Sequence, residues 1–553
     1  MPSDRTPTAL DQLAEEWLDQ QLALTPELHV HLGRPGREGE FTDHSPEGHA
    51  AAQEARRAML ARVEQAPVAD ATDRVTHAEL LRTLRLEIDT HDAGMWQRDL
   101  NVIASPAQDL RDLFDLMSSE TLEDWAHVAK RMARVPAALD GWIASLREGI
   151  ARGNTPAVRQ VTEVIVQAEK LTGSDTFFTR LAASTAAPRS LAADLETGAA
   201  RAGEAYGTLV AFLRDELAPA ARTEDGVGRE LYSLASRGFL GATVDLDETY
   251  AWGIEELLRM QHEQEAIADQ ILPGGTVAEA IAHLEADPSL KLHGVDALQA
   301  WMQDVSDRSV AELGATHFDI PEPLRRLECC IAPTDEGGIY YTPPSEDFSR
   351  PGRMWWSVPP GVTEFETWRE LTTVHHEGVP GHHLQCGIAV HNTAMLNGWR
   401  RNNWNSGHGE GWALYAERLM DDLGYLQTPA DRLGMLDGQR MRAARVVLDI
   451  GVHLGLPKPR HWFDDDAPWT GDDAFGFLDQ HVAMEPEFVR FEVNRYLGWP
   501  GQAPSYKVGQ RHWELLRDDW LAQGRGTLKE FHARALALGT VGLETLRSAV
   551  LED

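Results

Sequence analysis

The run Val374-His375-His376-Glu377-Gly378-Val379-Pro380-Gly381-His382-His383 restricts this chain more than any other stretch in it. Pro380 has no amide to donate, clashes with the carbonyl four residues back, and biases Val379 away from helix. Gly378 and Gly381 permit the compensating dihedrals. A helix carrying His376 is therefore expected to bulge or break at 378–381 before the chain continues through His382.

The same run carries chemistry. A zinc hydrolase needs two imidazoles converging on one ion and a carboxylate beside the water it activates. His-Glu-x-x-His achieves this on an unbroken helix, because i and i+4 share a face. Here His376 and His382 stand two residues further apart than that pattern allows, and a regular helix would point them apart. A break at 378–381 restores their convergence. His383 is the alternative second ligand, and a histidine-rich turn without metal is the plain reading.

A third ligand is expected from Gly407-His408-Gly409-Glu410-Gly411-Trp412-Ala413-Leu414-Tyr415-Ala416-Glu417. Trp412, Ala416, Leu419, Met420 and Leu423 form one apolar stripe of a helix. Glu410, Glu417 and Asp421 fall opposite, as on a solvated acidic face. The chemical reading makes Glu410 the ligand and Glu417 the group that orients a histidine.

Two later segments add candidates. Arg445, Asp449 and His453 recur at i, i+4 and i+8 among apolar residues, either as a buried polar ladder or with His453 stabilising an oxyanion. Residues 492–510 hold Arg495, Tyr496 and, after Pro500-Gly501, Tyr506. A tyrosine hydroxyl serves as a neutral donor to a tetrahedral intermediate; Tyr506, carried by a loop, is preferred over Tyr496. Arg495 suits a substrate carboxylate.

Most of the chain reads helical, with apolar spacing over 9–24, 107–151, 155–172, 186–217 and 246–270. Residues 26–50 read as irregular. Short β-prone runs at Cys329–Ala332, Gly337–Tyr341 and Met354–Val358 predict a small sheet beside the catalytic region. Two readings stay open for Met354–Val358: docking of a peptide as an added strand with Trp356 contacting substrate, or packing of Trp355 and Trp356, the commoner use of such residues. Helices resume near Glu364, with a break at 498–505. The organisation expected is an N-terminal helical part, 1–325, and a catalytic part, 326–553, within one continuous unit.

Charge and cysteine usage exclude several classes. The net charge of −36 opposes phosphate backbones and anionic membranes, so neither nucleic acid nor a membrane is an expected partner. Three cysteines, two adjacent, do not make a disulfide framework. No run approaches about eighteen apolar residues, and Met1–Arg5 leads into an acidic amphipathic segment rather than a signal peptide. A cytoplasmic protein is expected.

These motifs resemble a known family. Val374-His375-His376-Glu377…Gly381-His382 followed by Gly409-Glu410 resembles the gluzincin metallopeptidases, among them angiotensin-converting enzyme, thimet oligopeptidase and Taq-type carboxypeptidase. His-Glu-x-x-Pro-Gly-His-His-Leu-Gln with Glu-Gly-Trp-Ala-Leu-Tyr is more closely similar to the bacterial family catalogued as domain of unknown function 885, from about residue 8 to 548. The Arg445…His453 run and Pro500-Gly501-Gln502-Ala503-Pro504-Ser505-Tyr506 also look like that family. The resemblance implies zinc held by His376, His382 and Glu410, with Glu377 as general base. It also implies a mostly α, multi-helix, metallopeptidase-like fold with a small sheet and a substrate channel. The expected activity is zinc-dependent cleavage of short peptides. Hydrolysis of non-peptide amides and metal binding without catalysis are the alternatives; substrate and oligomeric state stay open.

Overall fold

The computed structural model describes residues 5–332 and 338–552. Met1–Asp4 and Gly337, which entered the signal-peptide and strand readings, lie outside the described residues.

Among the described residues the fold is mostly α with two small sheets. Nine helices build the region around the histidine run: α1 (Arg229–Leu240), α2 (Leu246–Ile271), α3 (Val295–Thr316), α4 (Thr367–Glu377), α5 (His382–His391), α6 (Ser406–Asp422), α7 (Pro429–Leu454), α8 (Pro486–Gly498) and α9 (Ser505–Ala522). The strands are β1 (Lys291–His293), β2 (Leu327–Ile331), β3 (Ile339–Thr342), β4 (Gly352–Trp356) and β5 (Glu364–Glu366).

In the N-terminal half the helices follow the apolar periodicity, with local corrections. The run 107–151 is interrupted between Pro106–Leu116, Leu122–Met132 and Val135–Arg152. Thr121 is the reason for one break: its hydroxyl accepts from the Asp124 amide while Asp124 accepts from the Thr121 amide, a reciprocal cap that starts a new helix. Within 26–50 a helix begins at Pro46, where Ser45 caps the Gly48 amide.

Packing ignores the 325/326 boundary. One apolar core joins Leu257 and Met260 of α2 with Trp412 and Tyr415 of α6, Val446 and Val447 of α7, and Trp513 of α9. Separate cores hold the earlier helices together, one around Trp142, Val161 and Tyr206, the other around Leu10, Trp17 and Leu84.

The three-stranded sheet has the order β2-β4-β3, with β4 parallel to β2 and antiparallel to β3. β1 and β5 form a separate antiparallel ribbon. β4 is therefore the central strand. Trp356 pairs with Ile331 on one side and Ile339 on the other, and its side chain is buried with Met302, Met354 and Val374. The expected strand addition at Met354–Val358 is corrected: both edges of β4 are already paired, and Trp356 packs a core.

α6 and α9 cross almost backbone to backbone. A Cβ on Gly411 would lie 2.6 Å from Gly509 Cα, and one on Gly509 would lie 2.2 Å from the Gly407 carbonyl oxygen. Neither neighbour is a side chain that can rotate away. Gly411→Ala and Gly509→Ala are each expected to destabilise the fold by about 1–3 kcal/mol, as overpacking does. Gly207→Ala, in a helix where an added Cβ meets nothing within 4 Å, is expected to stabilise by about 0.5–1 kcal/mol. Denaturant midpoints of the three variants check the contrast; equal effects would refute the close crossing.

Candidate metal centre

α4 ends at Glu377 and α5 starts at His382, so the helix breaks where Pro380 and its glycines predict. The turn between them is compact. Gly381 donates its amide to the His375 carbonyl (3.1 Å), and the His383 amide donates to Gly378 (3.1 Å). The Val379–Pro380 peptide is cis. A Cβ on Gly381 would stand 1.9 Å from the His376 carbonyl oxygen, so only glycine lets the chain reverse this tightly. From α6, the Trp412 indole N–H donates to the Pro380 carbonyl (2.8 Å) and fixes the turn from outside.

The reversal brings the two imidazoles face to edge, with ring centroids 4.9 Å apart. Glu410, one turn into α6, completes the group. Its Oε2 lies 3.5 Å from His376 Nε2 and 3.5 Å from His382 Nε2, and the three donor atoms lie within 4.8 Å of one another. A tetrahedral zinc site with bonds of about 2.1 Å has ligand–ligand edges of about 3.4 Å. Two nitrogens and one carboxylate oxygen at this spacing fit zinc in both geometry and ligand chemistry.

His383 faces elsewhere. Its Nε2–H donates to the Leu324 carbonyl (2.8 Å), which leaves Nδ1 to accept from the Tyr341 hydroxyl (2.9 Å). With both nitrogens engaged it offers no ligand atom. Between His382 and His383, the structure brings only His382 into the group.

The far nitrogen of His376 is held by the residue expected to orient it. His376 Nδ1–H donates to Glu417 Oε1 (2.7 Å), which aims Nε2 at the space shared with Glu410 and His382. Glu417 Oε2 accepts from Gln439 Nε2 (3.1 Å) of α7. Gln439 Oε1 accepts from Lys507 Nζ (2.7 Å) of α9, and Lys507 pairs with Glu256 (3.0 Å) of α2. Glu417 and Lys507 are each only 2% exposed. Glu417, in the middle of the acidic face of α6, is therefore buried against this polar chain, while Asp421 stays partly exposed. Neither Gln439 nor Lys507 stood out in the sequence; the signal available was a lone Lys beside Tyr506 in an arginine-rich chain.

The electrostatics follow from burial and these contacts. Burial opposes the charged imidazolium of His376, but Glu410 and Glu417 more than offset it and raise its pKa to about 10. Burial raises Glu410, yet the two histidines outweigh it and hold the carboxyl well below its ordinary range. Glu377 is raised: burial dominates over the attraction of His376 and His382. A carboxylate of raised basicity beside two imidazoles is suited to accept a proton near neutral pH.

The remaining candidates separate into two groups. Tyr506 lies in the first turn of α9, not on a loop. Burial raises its pKa, and the next cause is the charge of Glu410, so its phenol sits within electrostatic reach of the centre. Arg445 stacks over its ring at 5.2 Å. The other expectations are corrected. His453 Nε2 bonds to the Tyr496 carbonyl (3.1 Å), and its ring stacks on Tyr232. Asp449 beside it accepts from Tyr232 (2.7 Å) and the Gly501 amide (2.9 Å). His453 thus belongs to the buried ladder, not to the ligand group. The Tyr496 hydroxyl is locked between Arg445 (2.5 Å) and Glu492. Arg495 bonds to Glu492 (3.2 Å) and Gln502 (2.7 Å), so its charge is already matched. Trp404 was missed: its ring lies 5.9 Å from His382 and over Gly409, where a Cβ would meet it at 2.2 Å.

A family model described as "Bacterial protein of unknown function (DUF885)" matches residues 26–550. The chain belongs to this family. No curated protein matches it in sequence. Among solved structures it is similar to a "putative lipoprotein from Colwellia psychrerythraea", with a TM-score of 0.85 and 21% identity over 98% of each chain. It is also similar to a "putative lipoprotein of unknown function from Shewanella oneidensis", with a TM-score of 0.74 and 17% identity over 99% of this chain and 100% of the other. At these identities the likeness is one of fold. Among the described residues of this DUF885 chain, no helix is long and apolar enough to cross a membrane.

If Glu417 orients His376 as a ligand, Glu417→Gln should lower zinc affinity by about ten- to a hundredfold, the usual cost of losing such a partner. A competition titration against a zinc chelator measures it. An unchanged affinity would remove Glu417 from the centre.

Proposed function

We propose that this protein is a zinc-dependent hydrolase that cleaves peptide bonds in short peptides. The observation carrying the reading is the convergence of His376 Nε2, His382 Nε2 and Glu410 Oε2 with Glu377 immediately beside them. His376, His382 and Glu410 would hold the ion. When bound, zinc supplies Lewis acidity, polarising a carbonyl and lowering the pKa of a water.

The chain's own groups do the rest. Glu377 accepts the proton of the attacking water and passes it to the leaving amine. The Tyr506 hydroxyl donates to the carbonyl oxygen as negative charge develops there, and its place on a helix keeps that donor pre-aimed. Glu417 holds the His376 ring in one tautomer throughout. A site that only stored a metal would have no use for an unligated carboxylate at Glu377. A cytoplasmic location accompanies this reading, on three cysteines that are all free thiols; cell fractionation tests it.

About one zinc per chain is expected in protein purified without chelator, as for a mononuclear site. Elemental analysis checks this, and full metal in both His376→Ala and Glu410→Ala would overturn the ligand set. Glu377→Gln should keep its zinc and lose about a hundred- to ten-thousandfold in turnover of a peptide panel. Loss of metal in that variant would make Glu377 a ligand instead. A matched panel of non-peptide amides separates peptidase from general amidase.

Tyr506→Phe should lower kcat by roughly a hundred- to a thousandfold with KM nearly unchanged, the signature of a donor felt only in the transition state. An effect confined to KM would reassign Tyr506 to substrate binding.

A further inference from the structure

A cavity of about 610 Å³ adjoins the centre. Trp404, the residue packed on His382, forms part of its wall. Asn405 and Ser406, which start α6, and residues 497–500, which lead toward α9, line it from the side of the centre. The opposite walls come from the helix Ala71–Asp92, the segment 95–101 and α1. The space therefore touches both the helix that carries Glu410 and the connection that precedes Tyr506.

The walls combine aromatic surface with unmatched positive charge. Trp96, Phe239, Trp404 and Trp499 supply the apolar faces. The Arg98 guanidinium has no anionic or hydrogen-bonding partner among the described residues. Burial lowers its pKa to about 10, with the like charge of Arg222 adding to the effect. Arg222 also lines the cavity and, among the described residues, donates only to the carbonyls of Gly226 (2.7 Å) and Asp225 (3.2 Å). The nearby Asp225 carboxylate is engaged by Arg159 (3.0 Å) and, with Glu224, also attracts Arg222, so Arg98 is the less compensated of the two.

Neither acidic group lining the cavity pairs with Arg98. Glu87 is bonded to Arg56 (2.9 Å). Asp99, the chain neighbour of Arg98, is exposed and forms no ion pair with either arginine among the described residues. A half-buried guanidinium with no ion-pair partner among the described residues stands out in a chain of net charge −36.

We propose that this cavity is a substrate subsite for a carboxylate, with Arg98 as its principal anion-binding group, Arg222 as supporting charge and the aromatic walls holding the adjoining apolar portion. The inference rests on the hydrolase reading of the adjoining centre and deepens it: the peptides cleaved carry a carboxylate that docks on the far side of Trp404. Arg98 takes the role expected from the sequence for Arg495, whose charge Glu492 already satisfies. The carboxylate is either a peptide C-terminus or an acidic side chain, which share one recognition chemistry.

Titration calorimetry on the full chain tests this without zinc turnover. The probes are N-acetyl-phenylalanine, its C-terminal amide, and N-acetyl-glutamate with only the main-chain carboxyl amidated. The free acid should bind wild-type protein roughly ten- to a hundredfold more tightly than the amide, the range of one charge-assisted contact. Arg98→Gln should erase the difference, and Arg98→Lys should keep part of it, with thermal midpoints of both variants confirming the fold. Tight binding by the amidated glutamate would assign the subsite to an acidic side chain; its failure beside a tight free acid would assign it to the C-terminus. Equal binding of acid and amide, an acid preference that survives Arg98→Gln, or no saturable binding of either carboxylate probe overturns the proposal. Because the readout is binding, a protein that shows the preference but hydrolyses nothing would refute the peptidase reading and leave the subsite standing.

Discussion

Everything in the centre depends on the reversal at Gly378–Gly381. An unbroken helix would separate His376 from His382, whereas the turn folds the second histidine back against the first. Its tightness is set by one contact, the approach of Gly381 to the His376 carbonyl, which leaves no room for a Cβ. α6 then serves twice: Trp412 holds the turn through its indole, and Glu410, two residues before it, meets both imidazoles. The small sheet contributes from the other side, where Tyr341 of β3 satisfies one nitrogen of His383 and keeps that residue out of the group.

The centre is also the end of a buried polar chain. His376, Glu417, Gln439, Lys507 and Glu256 lie on α4, α6, α7, α9 and α2, so five helices meet through side-chain hydrogen bonds inside the core. Burial of such groups is unfavourable unless each is paired, and here each link is short and each member has a partner. Lys507 and Glu256 show the balance. Burial pushes the lysine down, while Lys507 and Arg259 hold Glu256 at about 2 against its own burial. The chain anchors the orienting carboxylate from behind, so the geometry of the centre is tied to the packing of helices well away from it.

Local signals in the sequence were read well where a single rule decided the outcome. Pro380 between two glycines foretold the helix break, the Gly/Pro-bounded β-prone runs foretold the sheet, and the 3.6-residue period marked Glu410 and Glu417 as one face. Where two readings depended on tertiary neighbours, the residues alone did not choose. The acidic face of α6 looked like a solvated surface, yet Glu417 at its middle is buried. The Arg445–Asp449–His453 ladder fitted a catalytic site and a structural one equally, and Tyr232 and the Tyr496 carbonyl decide for structure. For Trp356 docking and packing both stayed open, because an isolated β-prone run does not reveal that its strand is central; the core around it decides for packing. Arg98 carried no signal at all, since an arginine becomes unusual only when the fold encloses it without an anion.

The close crossing of α6 and α9 has a dynamic consequence. Where helices meet through side chains, rotamer hopping loosens their spacing on the nanosecond scale. Gly407, Gly411 and Gly509 leave no rotamer between the two backbones. Glu410 and Tyr506 sit on either side of that seam and so belong to one stiff body, whose internal distance is insulated from thermal repacking of the surrounding core. Breathing motions that admit a ligand must then be taken up by other elements, those that wall the cavity opposite this pair.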